Sequence, residues 1–227
     1  MEQTKIWAHF QRADGDVFED AEARYRTLVA LVARSSRRGR VLNVGIGSGG
    51  VERRFAALGW SVSSLDPDPE SVERLRATGV DARCGYLQDV PFDAAQFDAI
   101  VVSEVLEHVA DTDRPAAAAE LRRVARTGAL LVGTVPYREN LGDQETVCPA
   151  CGNVFHRWGH VASFDAESMR LLLGTRFAVQ RCAPRCFVRW AWPMRPRRIL
   201  KNVAKLALGR LGEPIVAPSL LFVARAT

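Results

Sequence analysis

The chain has 227 residues, 48% hydrophobic and 25% charged, the balance of a globular protein and too polar for one embedded in a membrane throughout. Folding at this length buries roughly 70% of the unfolded chain's surface without disulfide staples. An odd five cysteines, an opening without the basic end and apolar run of a secretory signal, and no run of 18 apolar residues together predict a single cytoplasmic domain over 1–227.

Tyr25, Leu28, Val29, Leu31 and Val32 give residues 17–35 a helical apolar stripe that ends in polar SSRRGR. Short apolar runs then alternate with helical patterns: VLNVG, VERRFAALG, VSSLD, PESVERLRATG, with further runs at FDAIVVS and ALLVGTV. Such alternation predicts an α/β fold with a parallel sheet. Runs 177–182 and 220–224 have no comparable helix packed between them, so an antiparallel ending is expected. Two segments interrupt the order: 136–163, rich in Cys, His and Gly, and 184–217, rich in Arg, Trp and Pro. The first leaves the carboxyl end of a strand, where open α/β sheets bind ligands, and is placed to act as a lid.

Residues 41–50, VLNVGIGSGG, read as a strand, a glycine turn and a helix start. Gly45, Gly47 and Gly49 let the backbone approach a ligand closely. The match to G-x-G-x-x-G is literal, and Asp66 closes the next strand where a ribose-binding acid belongs. A dinucleotide dehydrogenase shares these features, so the glycines alone do not decide.

Asn43-x-Gly45-x-Gly47-x-Gly49, Leu65-Asp66-Pro67, Asp89-Val90-Pro91-Phe92, the FDAIVVS run ending at Ser103, and strand 129–136 resemble, in order, the motifs of class I S-adenosylmethionine-dependent methyltransferases of type 11. The resemblance implies a Rossmann-like seven-stranded sheet, mostly parallel with an antiparallel last strand and helices on both faces. S-adenosylmethionine would be the cofactor. Gly45, Gly47 and Gly49 would line its methionine moiety, Asp66 would take the ribose hydroxyls, Pro67 would flank the adenine, and Ser103 would close over the amino acid end. The sequence departs from the family at Asn43, where Asp or Glu is usual, and at Tyr86, where an acid often meets the adenine amine; Tyr86 and Leu87 stand at that contact here.

Glu104, Glu107 and His108 follow the fourth strand directly in SEVLEHV. On a helix starting there, positions i, i+3 and i+4 share one face. Two carboxylates and an imidazole then offer a divalent cation a site with open positions; the alternative is a capped, salt-bridged helix start. E-x-x-E-H at this position resembles the ubiquinone-pathway O-methyltransferases and the small-RNA 2'-O-methyltransferases. That resemblance implies a Mg or Mn site completed by a later histidine, His160 or alternatively His156. A chelated acceptor favours vicinal diols, with His108 or His160 helping to remove the proton. The expected reaction is methyl transfer to a hydroxyl of a small molecule or a glycan or lipid-linked precursor. A metal-dependent RNA 2'-O-methyltransferase and a non-catalytic S-adenosylmethionine-binding module are the alternatives.

Cys148 and Cys151, followed by His156 and His160, give C-x2-C-x4-H-x3-H, a spacing that can close on one structural zinc; a metal-free loop is the alternative. If His160 serves the glutamates, Cys182 or Cys186 would have to replace it. Cys84 is expected to be buried. The formal charge of +5 is uneven, because residues 168–212 hold 11 Lys/Arg and no Asp/Glu, which points to one basic face meeting an anionic partner. Within it, Ile199, Leu200, Val203, Leu206, Ala207 and Leu211 share a helical face opposite Arg198, Lys201 and Lys205, with Trp190 and Trp192 just ahead. Such a helix lies on an anionic membrane surface or packs its apolar face onto the domain. Nucleic acid is not expected, because the aromatic spacing does not resemble a base-stacking platform. The sequence leaves the oligomeric state open.

Overall fold

A computed structural model describes residues 6, 21–35, 38–188, 190, 195–213, 216 and 218–227. Residues 17–20 of the expected first helix, and Trp192, lie outside the described residues. The strands are β1 (Arg40–Val44), β2 (Ser61–Asp66), β3 (Asp81–Cys84), β4 (Phe97–Ser103), β5 (Ala125–Pro136), β6 (Glu145–Val147), β7 (Val154–His156), β8 (Phe177–Arg185) and β9 (Ser219–Ala226). Seven of them form one sheet in the order β3-β2-β1-β4-β5-β9-β8, and β6 pairs with β7 as a separate hairpin. β1 runs parallel to β2 and β4, as do β2 to β3 and β4 to β5. β9 is antiparallel to both β5 and β8. The expected sheet, mostly parallel with an antiparallel last strand, is the one observed.

Period-two alternation explains the two cores. On one face, Val41 of β1 and Ala99 and Val101 of β4 meet Leu28, Val29 and Val32 of α1 (Ala21–Ser35) and Phe55 of α2 (Gly50–Ala57). On the other, Leu42, Val44, Ile100 and Val102 meet Leu121 of α4 (Arg114–Val124) and Met169 and Leu173 of α5 (Ala166–Leu173). Strands covered on both sides need near-continuous apolar runs, and each fully buried leucine or phenylalanine contributes about 1.5–3 kcal/mol. Between β2 and β3 lies α3 (Pro69–Arg76), started by Pro69 and by Asp68, whose carboxylate accepts the Ser71 N–H at 3.0 Å. A capping box at Asp165 and Ser168 starts α5.

The last helix, α6 (Pro196–Leu211), begins on a proline and stops at Gly212, which has φ +77°. It packs beside the end of β8, where a Cβ added at Gly209 would lie 2.4 Å from Sγ of Cys186, the residue after the strand. Cys84 is exposed, correcting the expectation of burial: β3 is an edge strand, and the thiol faces the Pro67 carbonyl at 3.5 Å. Among the described residues no helix is long and apolar enough to cross a membrane.

Candidate active site

The strand order reverses between β1 and β4, and the crevice outside the carboxyl ends of such strands is where open α/β sheets bind ligands. A cavity of about 930 Å³ opens there, within the usual range for small-molecule and cofactor sites. Its walls include Asn43, Gly45, Gly47, Asp66, Pro67, Tyr86, Leu87 and Ser103. Gly45 has φ +86°, and a Cβ there would lie 2.8 Å from Val105 Cγ2, so only glycine fits. Asp66 fastens the turn to the end of β2: its carboxylate accepts N–H groups from Ile46 at 2.8 Å and Asp68 at 2.9 Å. Gly49 caps α2 with φ +69° and is not part of the cavity wall. Leu87 is buried, whereas Tyr86 stands half exposed at the rim.

The acid missing at position 43 reappears one turn into α2. Asn43 Nδ2 donates to Glu52 Oε1 at 2.7 Å and to the Gly45 carbonyl at 2.9 Å, and Ser64 Oγ donates to the same Glu52 oxygen at 2.8 Å. Burial pushes the Glu52 carboxyl above its usual range. Asn43 Oδ1 is buried with no hydrogen-bond partner, so the cavity wall holds a polar acceptor that a ligand's ammonium or hydroxyl can satisfy. Opposite, Arg24 of α1 donates to Ser103 Oγ at 3.0 Å and lies 3.8 Å from the Glu104 carboxylate.

The expected helix after β4 is not formed. Glu104 adopts φ +55° and a single 3₁₀ turn, Leu106–His108, follows, so Glu104, Glu107 and His108 do not share a helix face. This corrects the sequence reading, and the consequence is a division of labour. Glu104 turns to Arg24, while Glu107 is 0% exposed and neither of its carboxylate oxygens has a hydrogen-bond partner. Burial first, and the Glu104 charge second, hold the Glu107 carboxyl well above the ordinary range.

The Glu107 carbonyl accepts N–H groups from Val161 at 2.8 Å and Ala162 at 3.2 Å. These bonds fasten the second half of the lid over the turn and bring His160 to His108, with ring centroids 4.8 Å apart. Glu107, His108 and His160 then offer ligand atoms within 4.8 Å of one another. His108 Nδ1 faces the Gly159 carbonyl at 3.1 Å, and burial followed by the neighbouring His160 lowers its pKa to about 3, so the ring is neutral. Neutral imidazole is the ligating form.

Glu139, which the sequence reading passed over, forms a second group with His156 and His160. Its carboxylate lies 2.6 Å from His160 Nδ1 and 3.5 Å from His156 Nε2. His156 Nδ1 accepts backbone N–H groups from Trp158 at 3.3 Å and His160 at 3.1 Å. The hydrogen-bond pattern therefore puts the His156 proton on Nε2, facing Glu139, and the His160 proton on Nδ1, also facing Glu139. That leaves the His160 lone pair on Nε2. Glu139 thus faces both imidazoles, and His160 is shared by the two groups of potential metal donors. The only prior signal for Glu139 was its place in the loop leaving the carboxyl end of β5.

The cysteines lie elsewhere. Cys148 and Cys151 occupy the tip of the β6–β7 hairpin, closed by Cys148 N–H to Asn153 O at 2.9 Å and Gly152 N–H to Cys148 O at 2.8 Å. His156, the last residue of β7, and His160 beyond it turn to Glu139, so in this structure the four donors of C-x2-C-x4-H-x3-H are not gathered around one point. This corrects the knuckle expectation. Cys182 and Cys186 are buried, and among the described residues neither group of three metal donors contains a cysteine.

Residues 42–133 match the family described as methyltransferase domain. The chain is 36% identical over 78 residues to a ubiquinone biosynthesis O-methyltransferase of Methylocella silvestris, covering 32% of this chain and 30% of that protein. It is 32% identical over 114 residues to an uncharacterized methyltransferase of Staphylococcus carnosus, covering 48% of this chain and 54% of that one. The chain thus spans about a third of the length of the first of these curated relatives and about half of the second. Among solved structures, N-methyltransferase NodS of Bradyrhizobium japonicum WM9 in complex with S-adenosyl-L-homocysteine superposes with a TM-score of 0.67 at 18% identity, covering 100% of this chain and 99% of that one. Geranyl diphosphate methyltransferase in complex with SAM gives 0.60 at 16%, covering 97% and 95%. These likenesses establish the fold.

Proposed function

We propose that this chain, whose residues 42–133 carry a methyltransferase domain, transfers a methyl group from S-adenosylmethionine to a hydroxyl of a small molecule or a glycan or lipid-linked precursor, assisted by a divalent cation at Glu107, His108 and His160. One observation carries the metal-assisted reading: Glu107 is wholly buried with both carboxylate oxygens unpartnered, beside two imidazoles whose Nδ1 atoms face oxygen acceptors. Burial holds this carboxyl above its ordinary range, and ionising it with no hydrogen bond to either oxygen costs several kcal/mol, a cost that a bound cation would relieve. One carboxylate and two imidazoles with open positions suit a divalent metal that also takes substrate oxygens.

The cofactor reading rests on the glycine turn, the Asp66 carboxylate at the cavity wall and the unpartnered Asn43 Oδ1. When bound, S-adenosylmethionine supplies an electrophilic methyl on its sulfonium, and a cation supplies Lewis acidity that lowers the pKa of an acceptor hydroxyl. The remaining work falls to the chain. Asp66 holds the glycine turn in register and offers its carboxylate to the ribose. Asn43 and Ser103 face the amino acid end, and Arg24 fixes the Ser103 hydroxyl. Glu107 would offset part of a bound cation's charge, and Glu139, facing His160 Nδ1, would leave Nε2 as that ring's ligating atom. In this reading His108 and His160 would be ligands rather than bases, and the proton of the acidified acceptor hydroxyl would pass to solvent water as the methyl leaves the sulfonium for the oxygen. Chelation favours an acceptor with two adjacent oxygens, and the O-methyltransferase named among the relatives supports oxygen as the target.

The test is transfer of labelled methyl from S-adenosylmethionine to a panel of catechols and vicinal diols. Turnover is expected with magnesium or manganese, with silence in chelator and recovery on adding the ion back. Full turnover in chelator would remove the cation from the reaction.

A further inference from the structure

The helix α6 packs on the domain with its small side and turns its apolar side outward. Gly209 is its one buried residue, and Asn202, Lys205 and Leu206, on the same side, are half-buried. At 100° per residue, Leu200, Val203, Ala204, Ala207 and Leu211 fall on the opposite side. Leu200 is 71% exposed, Val203 51% and Leu211 76%. The alternative in which the apolar face covers the domain is therefore not what the structure shows; only Leu206 of the expected stripe is drawn inward. By the same spacing Arg197 and Lys201 flank the exposed stripe on one side and Arg210 on the other, all three exposed, and no acid lies between residues 168 and 212. Trp190, ahead of the helix, is 52% exposed.

We infer that α6 seats the chain on a membrane surface bearing anionic phospholipid headgroups, with Leu200, Val203 and Leu211 entering the acyl boundary and the flanking basic side chains meeting phosphates. A basic amphipathic helix lying in the interface is held by these two contributions together. Charge complementarity selects this occupant. A second copy of α6 would bring basic flank against basic flank, and RNA would leave the leucines in water. The C-terminus of the helix lies near the cavity: a Cβ on Gly212 would lie 3.0 Å from the Tyr137 ring, and Tyr137, Pro218 and Ser219 belong to the cavity wall. The surface itself is independent of the cofactor and metal readings.

The experiment is sedimentation of the full chain with phosphatidylcholine vesicles, with and without phosphatidylglycerol. Binding is expected only with phosphatidylglycerol and should weaken as salt rises. Removing one basic side chain near an anionic surface lowers partitioning about fivefold, so Arg197→Gln/Lys201→Gln should lower it roughly 25-fold. Leu200→Glu/Leu211→Glu should abolish it. Circular dichroism and thermal melting of the same preparations report whether each variant is folded. No sedimentation with phosphatidylglycerol, equal binding to phosphatidylcholine alone, or undiminished binding by the folded leucine variant would overturn the proposal. So would a concentration-dependent dimer that the leucine variant abolishes and vesicles leave intact.

Discussion

The carboxylate of Glu139 and the Nδ1 of His160 are 2.6 Å apart, across a turn of the lid that connects two strand ends. Such a contact sets the imidazole tautomer, and outer carboxylates of this kind typically change metal affinity about 10- to 100-fold. Glu139→Ala should accordingly weaken manganese binding by about that factor while leaving S-adenosylhomocysteine binding in place. Titration calorimetry with each ligand separates the two effects. Unchanged manganese affinity would return Glu139 to a purely structural part.

Asp66 accepts two backbone N–H groups and forms part of the cavity wall. Asp66→Ala strips both acceptors and the expected ribose contact, a loss on the order of 2–4 kcal/mol. S-adenosylhomocysteine should bind roughly 30- to 1000-fold more weakly. Wild-type affinity in this variant would contradict the assignment of the ribose to the end of β2.

Gly45 tests the turn itself. An alanine Cβ would meet Val105 Cγ2 at 2.8 Å, and the φ of +86° is strained for any residue with a side chain. The strain should cost about 1–3 kcal/mol and lower the melting temperature by about 2–10 °C, with cofactor affinity falling alongside. A melting temperature equal to the wild type's would show that the turn accommodates a side chain.

Cys148→Ser/Cys151→Ser should leave manganese binding at Glu107 unchanged, because the hairpin separates the thiols from both histidines. A fall in manganese affinity in this variant would mean that the cysteines and the histidines share a metal after all.

The sheet was legible because buried parallel strands are written as uninterrupted apolar runs, and because the glycine turn and Asp66 follow them in order. Glu107, His108 and His160 were legible as a set but not as a shape. A positive φ at a glutamate such as Glu104 leaves no mark in a sequence, so helical spacing was the natural reading of E-x-x-E-H. The Cys and His spacing misled for a related reason: β7 carries the chain from the cysteines at the hairpin tip to His156 at its other end, and linear separation does not say which end of a hairpin a side chain occupies. Glu139 meets His160 where Arg138 N–H bonds the Phe164 carbonyl and the Glu107 carbonyl captures Val161 and Ala162, contacts no local pattern encodes. The amphipathicity of α6 was visible, but periodicity alone does not say which side packs. Gly209 decides that, since only a residue without a side chain lets Cys186 come so close.

An anomalous difference map from crystals grown with manganese and S-adenosylhomocysteine tests the central claim most directly. A manganese peak is expected within coordination distance of Glu107, His108 and His160, with the ribose at Asp66 and the amino acid end at Asn43. A peak at Cys148 and Cys151 instead, no peak beside Glu107, or a crevice at the glycine turn that takes no nucleoside would contradict it.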